Sequence, residues 1–118
     1  MEKLNTIKGT HDLFDEDSEI YDIIIKESEK ICRSFNFQKM ITPIIENSKV
    51  FQRTLGDSTD VVSKEMYSFT DTGGDSITLR PEGTAPMTRA MISNSLFERI
   101  NQKFYYFGPM FRRERPQS

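Results

Sequence analysis

The 118 residues suffice for one domain with a modest core, and a composition of 36% hydrophobic and 29% charged residues suits ordinary globular folding rather than disorder. A net charge of −2 and a pI near 5.4 exclude the basic surplus of a dedicated nucleic-acid-binding module, so a polyanion must meet a local patch. One cysteine, Cys32, excludes an internal disulfide, and with a single histidine it leaves no zinc set.

The start, "MEKLNTIKGTHDLF", has neither the basic opening nor the apolar core of a signal peptide, and no run is apolar enough to span a bilayer. These features predict a cytoplasmic protein with no membrane partner. Acidic residues crowd the front, from Asp12 to Glu19, while Arg112, Arg113 and Arg115 crowd the back, where phosphate is welcome.

Residues 17–35 carry Ile20, Ile24, Ile31 and Phe35 near multiples of 3.6 with charged residues opposite, which predicts an amphipathic helix. Asp15, Asp17 and Ser18 are its candidate N-caps, and Asn36 tolerates the left-handed conformation that ends a helix. "FQKMITPII" (37–45) reads as a strand that Pro43 confines to an edge, a bulge or an end. A short helix is expected from Ser48 to Leu55, closed by Gly56.

Residues 66–80 predict a hairpin, "MYSFT" and "SITLR" around "DTGGD", with Gly-Gly supplying positive φ angles. A second helix is expected over 84–99, capped by Thr84, with Pro86 in its first turn and Met87, Met91 and Ile92 turned inward. "KFYYFGPMFRRER" closes the chain as a strand kinked or bulged at Gly108-Pro109.

Two stretches carry chemistry. In regular pairing beyond Pro109, Met110, Arg112 and Glu114 share one face of the last strand. A guanidinium there is a planar fork for phosphate or carboxylate oxygens, with the carboxylate two residues on steadying it; a cross-strand ion pair is the other reading. In "LRPEGT" (79–84), Pro81 keeps Arg80 extended and Gly83 frees the turn, so Glu82 stands at a strand-to-helix junction. Its carboxylate is placed either to accept from a ligand ammonium group or to favour the helix N-terminus. The Lys64–Glu65 pair and His11 beside Asp12 read as surface polar groups, and no nucleophile-base triad assembles.

"IKGTHDLF" (7–14), "GDSTDVVSKEMYSFTD" (56–71), "TLRPEGTAP" (78–86) and "YYFGPMFRRERPQ" (105–117), in this order and spacing, resemble the start of the histidyl-tRNA synthetase family, which belongs to the class II aminoacyl-tRNA synthetases. The resemblance runs the length of the chain and implies an α+β fold, part of the class II antiparallel sheet with flanking helices. Residues 1–118 are then the N-terminal part of the catalytic domain, with motif 1 at about 18–45 and the first strand of motif 2 at about 104–115. The chain is expected to end within the motif 2 loop, before the third motif and the anticodon-binding domain, and such a piece is expected to be inactive alone.

By that resemblance Arg112 is the catalytic, phosphate-gripping arginine, and Glu114 helps to place ATP. Glu82, Gly83 and Thr84 hold the α-amino end of histidine. The implied partners are histidine, ATP with Mg²⁺, the cognate tRNA and a second copy joined through motif 1; no protein metal ligand is implied. Asn36 stands where many relatives have glycine. The alternative is the regulatory subunit of ATP phosphoribosyltransferase, a histidine-binding paralogue that charges no tRNA.

Overall fold

The computed structural model describes residues 2–55 and 65–113. Helices accompany a three-stranded antiparallel sheet, the α+β composition expected, and the chain divides into two units, Met1–Phe37 and Gln38–Ser118.

The first unit is an irregular arm followed by helix α1, Asp15–Ser34. None of the three expected residues caps it. Phe14 holds the N-cap position, and the Ser18 hydroxyl turns back to donate to the Asp15 carbonyl at 2.9 Å instead of accepting from an N–H. Asp15, Glu16 and Asp17 nevertheless place negative charge against the positive end of the helix dipole.

Asn36 does end the helix as expected, with φ at 65°. Its N–H donates to the Arg33 carbonyl at 3.0 Å and the Phe37 N–H to the Cys32 carbonyl at 2.9 Å, the paired bonds of a Schellman end. No residue of α1 is buried; Ile20, Ile24, Ile31 and Phe35 are all exposed.

The second unit holds strands β1 (Gln38–Lys39), β2 (Ile45–Asn47), β3 (Ser68–Thr70), β4 (Ser76–Leu79) and β5 (Phe104–Tyr105), with helices α2 (Lys49–Leu55) and α3 (Thr84–Ser93). Pro43 lies in the gap that splits "FQKMITPII" between β1, which pairs in parallel with β5, and β2, which enters the order β2-β4-β3. Without an N–H, proline has no bond to give a ladder at that point.

The hairpin β3–β4 forms where expected. Asp71 Oδ1 accepts from the Gly73 N–H at 2.9 Å and the Asp75 N–H at 3.0 Å, and only Gly74 of the glycine pair takes a positive φ, 90°. The α2 helix begins at Lys49, whose N–H donates to Asn47 Oδ1 at 2.9 Å; the expected closure at Gly56 lies outside the described residues.

Sheet alternation places Glu46, Thr78 and Ser68 in one row, in register across β2, β4 and β3. Glu46 and Thr78 in this polar row are buried, and Ser68 is exposed. Thr78 is fully enclosed, and its hydroxyl lies 2.6 Å from that of Ser48 and 2.8 Å from that of Ser68, while Ser48 also meets the Ser76 hydroxyl at 2.8 Å. Each buried hydroxyl therefore has a partner, which removes the penalty of leaving it dry. The apolar core consists of Phe51, Met66 and Ala85, with Val50 against them.

Helix α3 is shorter than expected, ending at Ser93. Asn94 serves as its C-cap, and Ser95 follows with φ at 54°, a left-handed conformation that breaks the helical path. A separate 3₁₀ turn, Leu96–Glu98, occupies the rest of the expected span. Ala85, Pro86 and Ala90 are the buried residues of α3; Met87 and Met91 are half-buried, and Ile92 is 60% exposed rather than turned inward. Small side chains let α3 approach closely enough for Arg89 to reach the sheet. Its Nε and Nη2 donate to the two carboxylate oxygens of Glu46 at 2.9 and 3.0 Å.

Glu46 is only 8% exposed, so this fork is what makes its charge tolerable. Arg89→Met should cost about 3 kcal/mol, the lower end for orphaning a buried charge, because the arginine itself keeps some water. Urea unfolding of the protein checks this. Pairing it with Glu46→Met should recover most of the loss, since no unpaired charge then remains.

Candidate functional site

The strand-to-helix junction expected to carry ligand contacts is held from both sides. The Arg80 N–H donates to the Ile44 carbonyl and the Arg80 carbonyl accepts from the Phe111 N–H, both at 2.9 Å. Pro81 and Gly83 are buried, and Glu82 is half-buried between them.

The Glu82 carboxylate bends onto the start of α3. Oε2 accepts from the Thr84 N–H at 2.7 Å and Oε1 from the Ala85 N–H at 3.0 Å. Pro86, the next residue, has no N–H, and the Met87 N–H already bonds to the Gly83 carbonyl at 3.1 Å. The donors of the first helical turn, Thr84 to Met87, are thereby accounted for. Gly83 occupies the N-cap position, so Thr84 is the first helical residue rather than the cap. Its hydroxyl, released from capping, lies 3.0 Å from that of Tyr106.

The expected last strand is regular only at Phe104–Tyr105. Beyond it the chain is extended but pairs through isolated bonds: Phe111 N–H to Arg80, and Arg113 N–H to the Glu65 carbonyl at 2.6 Å. Pro109 lacks a donor and Gly108 bends the backbone, so no continuous ladder forms. Donors two residues apart still give 111 and 113 one direction and Arg112 the other, the alternation expected. Arg113 lies over the Tyr67 ring, 5.7 Å from its centroid.

Arg112 is exposed, and its Nε donates to the Pro81 carbonyl at 2.9 Å. Arg112 therefore meets the Pro81–Thr84 loop directly. The structure brings together Arg112, Glu82, Gly83 and Thr84, four of the five expected site residues. Glu114 lies outside the described residues, as do 56–64, including Lys64. His11 is exposed in the first unit.

Sequence reasoning missed the residue that organises this meeting. Arg80 is 6% exposed; its Nε donates to the Pro109 carbonyl at 3.0 Å, and its Nη1 to the Thr42 carbonyl at 3.2 Å and hydroxyl at 3.1 Å. One guanidinium thus ties the connection before β2, the strand-to-helix junction and the bend before Arg112. Its partners are backbone oxygens and a hydroxyl, which leave no pattern in the sequence. Tyr106 was missed for the same reason.

A scan of family descriptions matches residues 9–118 to "Histidyl-tRNA synthetase". The chain belongs to the histidyl-tRNA synthetase family. It is 50% identical over 117 residues to the histidine–tRNA ligase of Gluconacetobacter diazotrophicus, a match covering 99% of this chain and 28% of that protein. Against the histidine–tRNA ligase of Thermotoga maritima it is 47% identical over 117 residues, with 98% of this chain and 28% of that protein covered. The crystal structure of apo S. aureus histidyl-tRNA synthetase superimposes with a TM-score of 0.79 at 37% identity, covering 93% of this chain and 30% of that one. A Bacillus halodurans structure titled ATP phosphoribosyltransferase regulatory subunit/histidyl-tRNA synthetase shares the fold, with a TM-score of 0.76 at 19% identity, over 95% of this chain and 28% of that one. The chain thus spans 28% of the length of the first relatives.

Gly108 leaves room for Arg80: a Cβ there would run into Nη2 of that guanidinium, which is already committed on three bonds. Gly108→Ala should therefore cost about 1–3 kcal/mol, the usual range for overpacking. Thermal unfolding beside the parent sequence measures it.

Proposed function

We propose that the polypeptide carrying this chain ligates histidine to its cognate tRNA, using ATP. The observation that carries the reading is the bond from Arg112 to the Pro81–Thr84 loop, in a chain of this family. In this reading a guanidinium suited to phosphate stands beside a loop suited to the amino acid, as joining a carboxylate to a nucleotide requires.

In the first step a histidine carboxylate oxygen attacks the α-phosphorus of ATP, and pyrophosphate leaves. In the second, the terminal ribose hydroxyl of the tRNA attacks the acyl carbon, and AMP leaves. Neither step needs a protein nucleophile. Arg112 lays positive charge against the phosphoryl oxygens, and Glu114 helps to place the nucleotide. Glu82 and Thr84 hold the substrate ammonium group, with Gly83 between them. Glu82 is suited to this because backbone N–H bonds fix both its oxygens. ATP is expected to arrive with Mg²⁺, but among the described residues no group of three acidic, histidine or cysteine side chains could hold a metal ion.

The second copy in a homodimer would join through motif 1, residues 18–45. The exposed apolar stripe of α1 supports this, since isoleucines left in water weaken folding unless something covers them. A single half-buried cysteine suits the cytoplasm, and no helix among the described residues is long and apolar enough to cross a membrane. The ligase is preferred to the regulatory subunit because the relatives near half identity carry the ligase name, whereas the structure titled with the regulatory subunit is 19% identical.

In the full-length ligase, Arg112→Ala should slow histidine-dependent pyrophosphate exchange more than tenfold, as loss of one transition-state donor costs about 2.7–4 kcal/mol. Unchanged exchange removes Arg112 from the reaction. Glu82→Gln should raise the KM for histidine while sparing that for ATP; an unaltered histidine KM refutes the role given to Glu82.

A further inference from the structure

Tyr106 follows β5, and its ring packs closely against the backbone of Gly83. A Cβ at Gly83 would overlap Cε2, Cδ2 and Cζ of that ring. Gly83 has φ −106° and ψ −16°, a right-handed conformation open to any residue. Backbone freedom therefore does not require glycine there; the approach of the ring does.

The second contact is polar. Thr84 Oγ1 lies 3.0 Å from the Tyr106 hydroxyl, and either can donate. Both residues are exposed, so water would satisfy each hydroxyl separately, and the bond serves to orient rather than to rescue a buried group. The helix start makes no claim on Thr84 Oγ1, because Glu82 takes the N–H groups that a cap would serve.

We propose that Tyr106 is a positioning residue for the amino-acid substrate, fixing the Gly83 backbone with its ring and the Thr84 hydroxyl with its own. This rests on the reading above, in which Thr84 receives the substrate ammonium group. An ammonium only donates, so Thr84 must offer a lone pair and send its proton elsewhere. The Tyr106 oxygen accepts that proton, and the Tyr106 O–H in turn donates to water. The hydroxyl dipole of Thr84 is thereby aimed before the substrate arrives, which reduces the ordering left for binding to accomplish.

The test is steady-state pyrophosphate exchange by the full-length ligase. Tyr106→Phe keeps the ring on Gly83 and removes only the hydroxyl. It should raise the KM for histidine about three- to tenfold, the range for a single neutral hydrogen bond, with kcat, the KM for ATP and the melting temperature essentially unchanged. In a Thr84→Val background the same substitution should add nothing, because the hydroxyl it orients is gone. An unchanged histidine KM in Tyr106→Phe, or effects that simply add to those of Thr84→Val, overturns the proposal. If Glu82→Gln and Thr84→Val raise the histidine KM and Tyr106→Phe does not, Tyr106 alone loses its role. If none of the three raises it, the amino-acid loop itself is misassigned and both readings fall.

Discussion

The second unit depends on one buried positive charge. The Arg80 guanidinium is held by the Pro109 and Thr42 carbonyls and the Thr42 hydroxyl, all neutral acceptors. A charge in such a place is tolerable only while its donors are met, so each of the three segments it joins is constrained by the desolvation that losing it would expose. Lysine could not substitute, because a single ammonium cannot present the planar fork that spans two directions at once. The backbone of the same residue holds β2 through Ile44 and the last segment through Phe111. Arg112 and Glu82 are brought to one place by a residue that takes neither of their roles.

Around this point the polar groups are satisfied in tiers. The Glu46–Arg89 fork fixes α3 to the sheet, the Ser48, Ser68, Ser76 and Thr78 hydroxyls bond one another beneath it, and Glu82 serves the helix start. Such networks favour one arrangement because every alternative leaves some buried group dry. A small apolar core of Phe51, Met66 and Ala85 is thus supplemented by directional bonds.

Local signals in the sequence carried the elements well and their consequences less well. Asn36 announced the end of α1, the "DTGGD" turn announced the hairpin, and Pro43 announced an interrupted strand, because each rests on backbone geometry that one or two residue types satisfy. The helix starts were misread for a related reason. Serine, threonine and aspartate compete for several backbone partners, and which one wins depends on neighbours: Ser18 chose a carbonyl, and Glu82 displaced Thr84 as the cap. The buried face of the sheet was not legible either. In "SITLR" the isoleucine and leucine attract the eye, yet Thr78 and Arg80 are the residues enclosed, and their partners are hydroxyls and carbonyls from other segments. The site's residues stand out in the sequence by their motifs; Arg80 and Tyr106, which place them, act through backbone oxygens and ring contact.

The parallel pair of β1 and β5 joins Gln38 to Phe104 and Lys39 to Tyr105, with α2, the hairpin and α3 lying between in the chain. Bringing such distant segments together carries a large loop-closure entropy, and two residue pairs repay little of it, so this ladder is expected to close late in folding and to open early in local fluctuations. When it opens, Phe104 and Tyr105 come away from β1, while the residues beyond Pro109 keep their bonds to Arg80, Pro81 and Glu65. The segment bearing Arg112 thus stays fastened to the Arg80–Pro81 junction, which carries Glu82, even where the strand leading into it has opened.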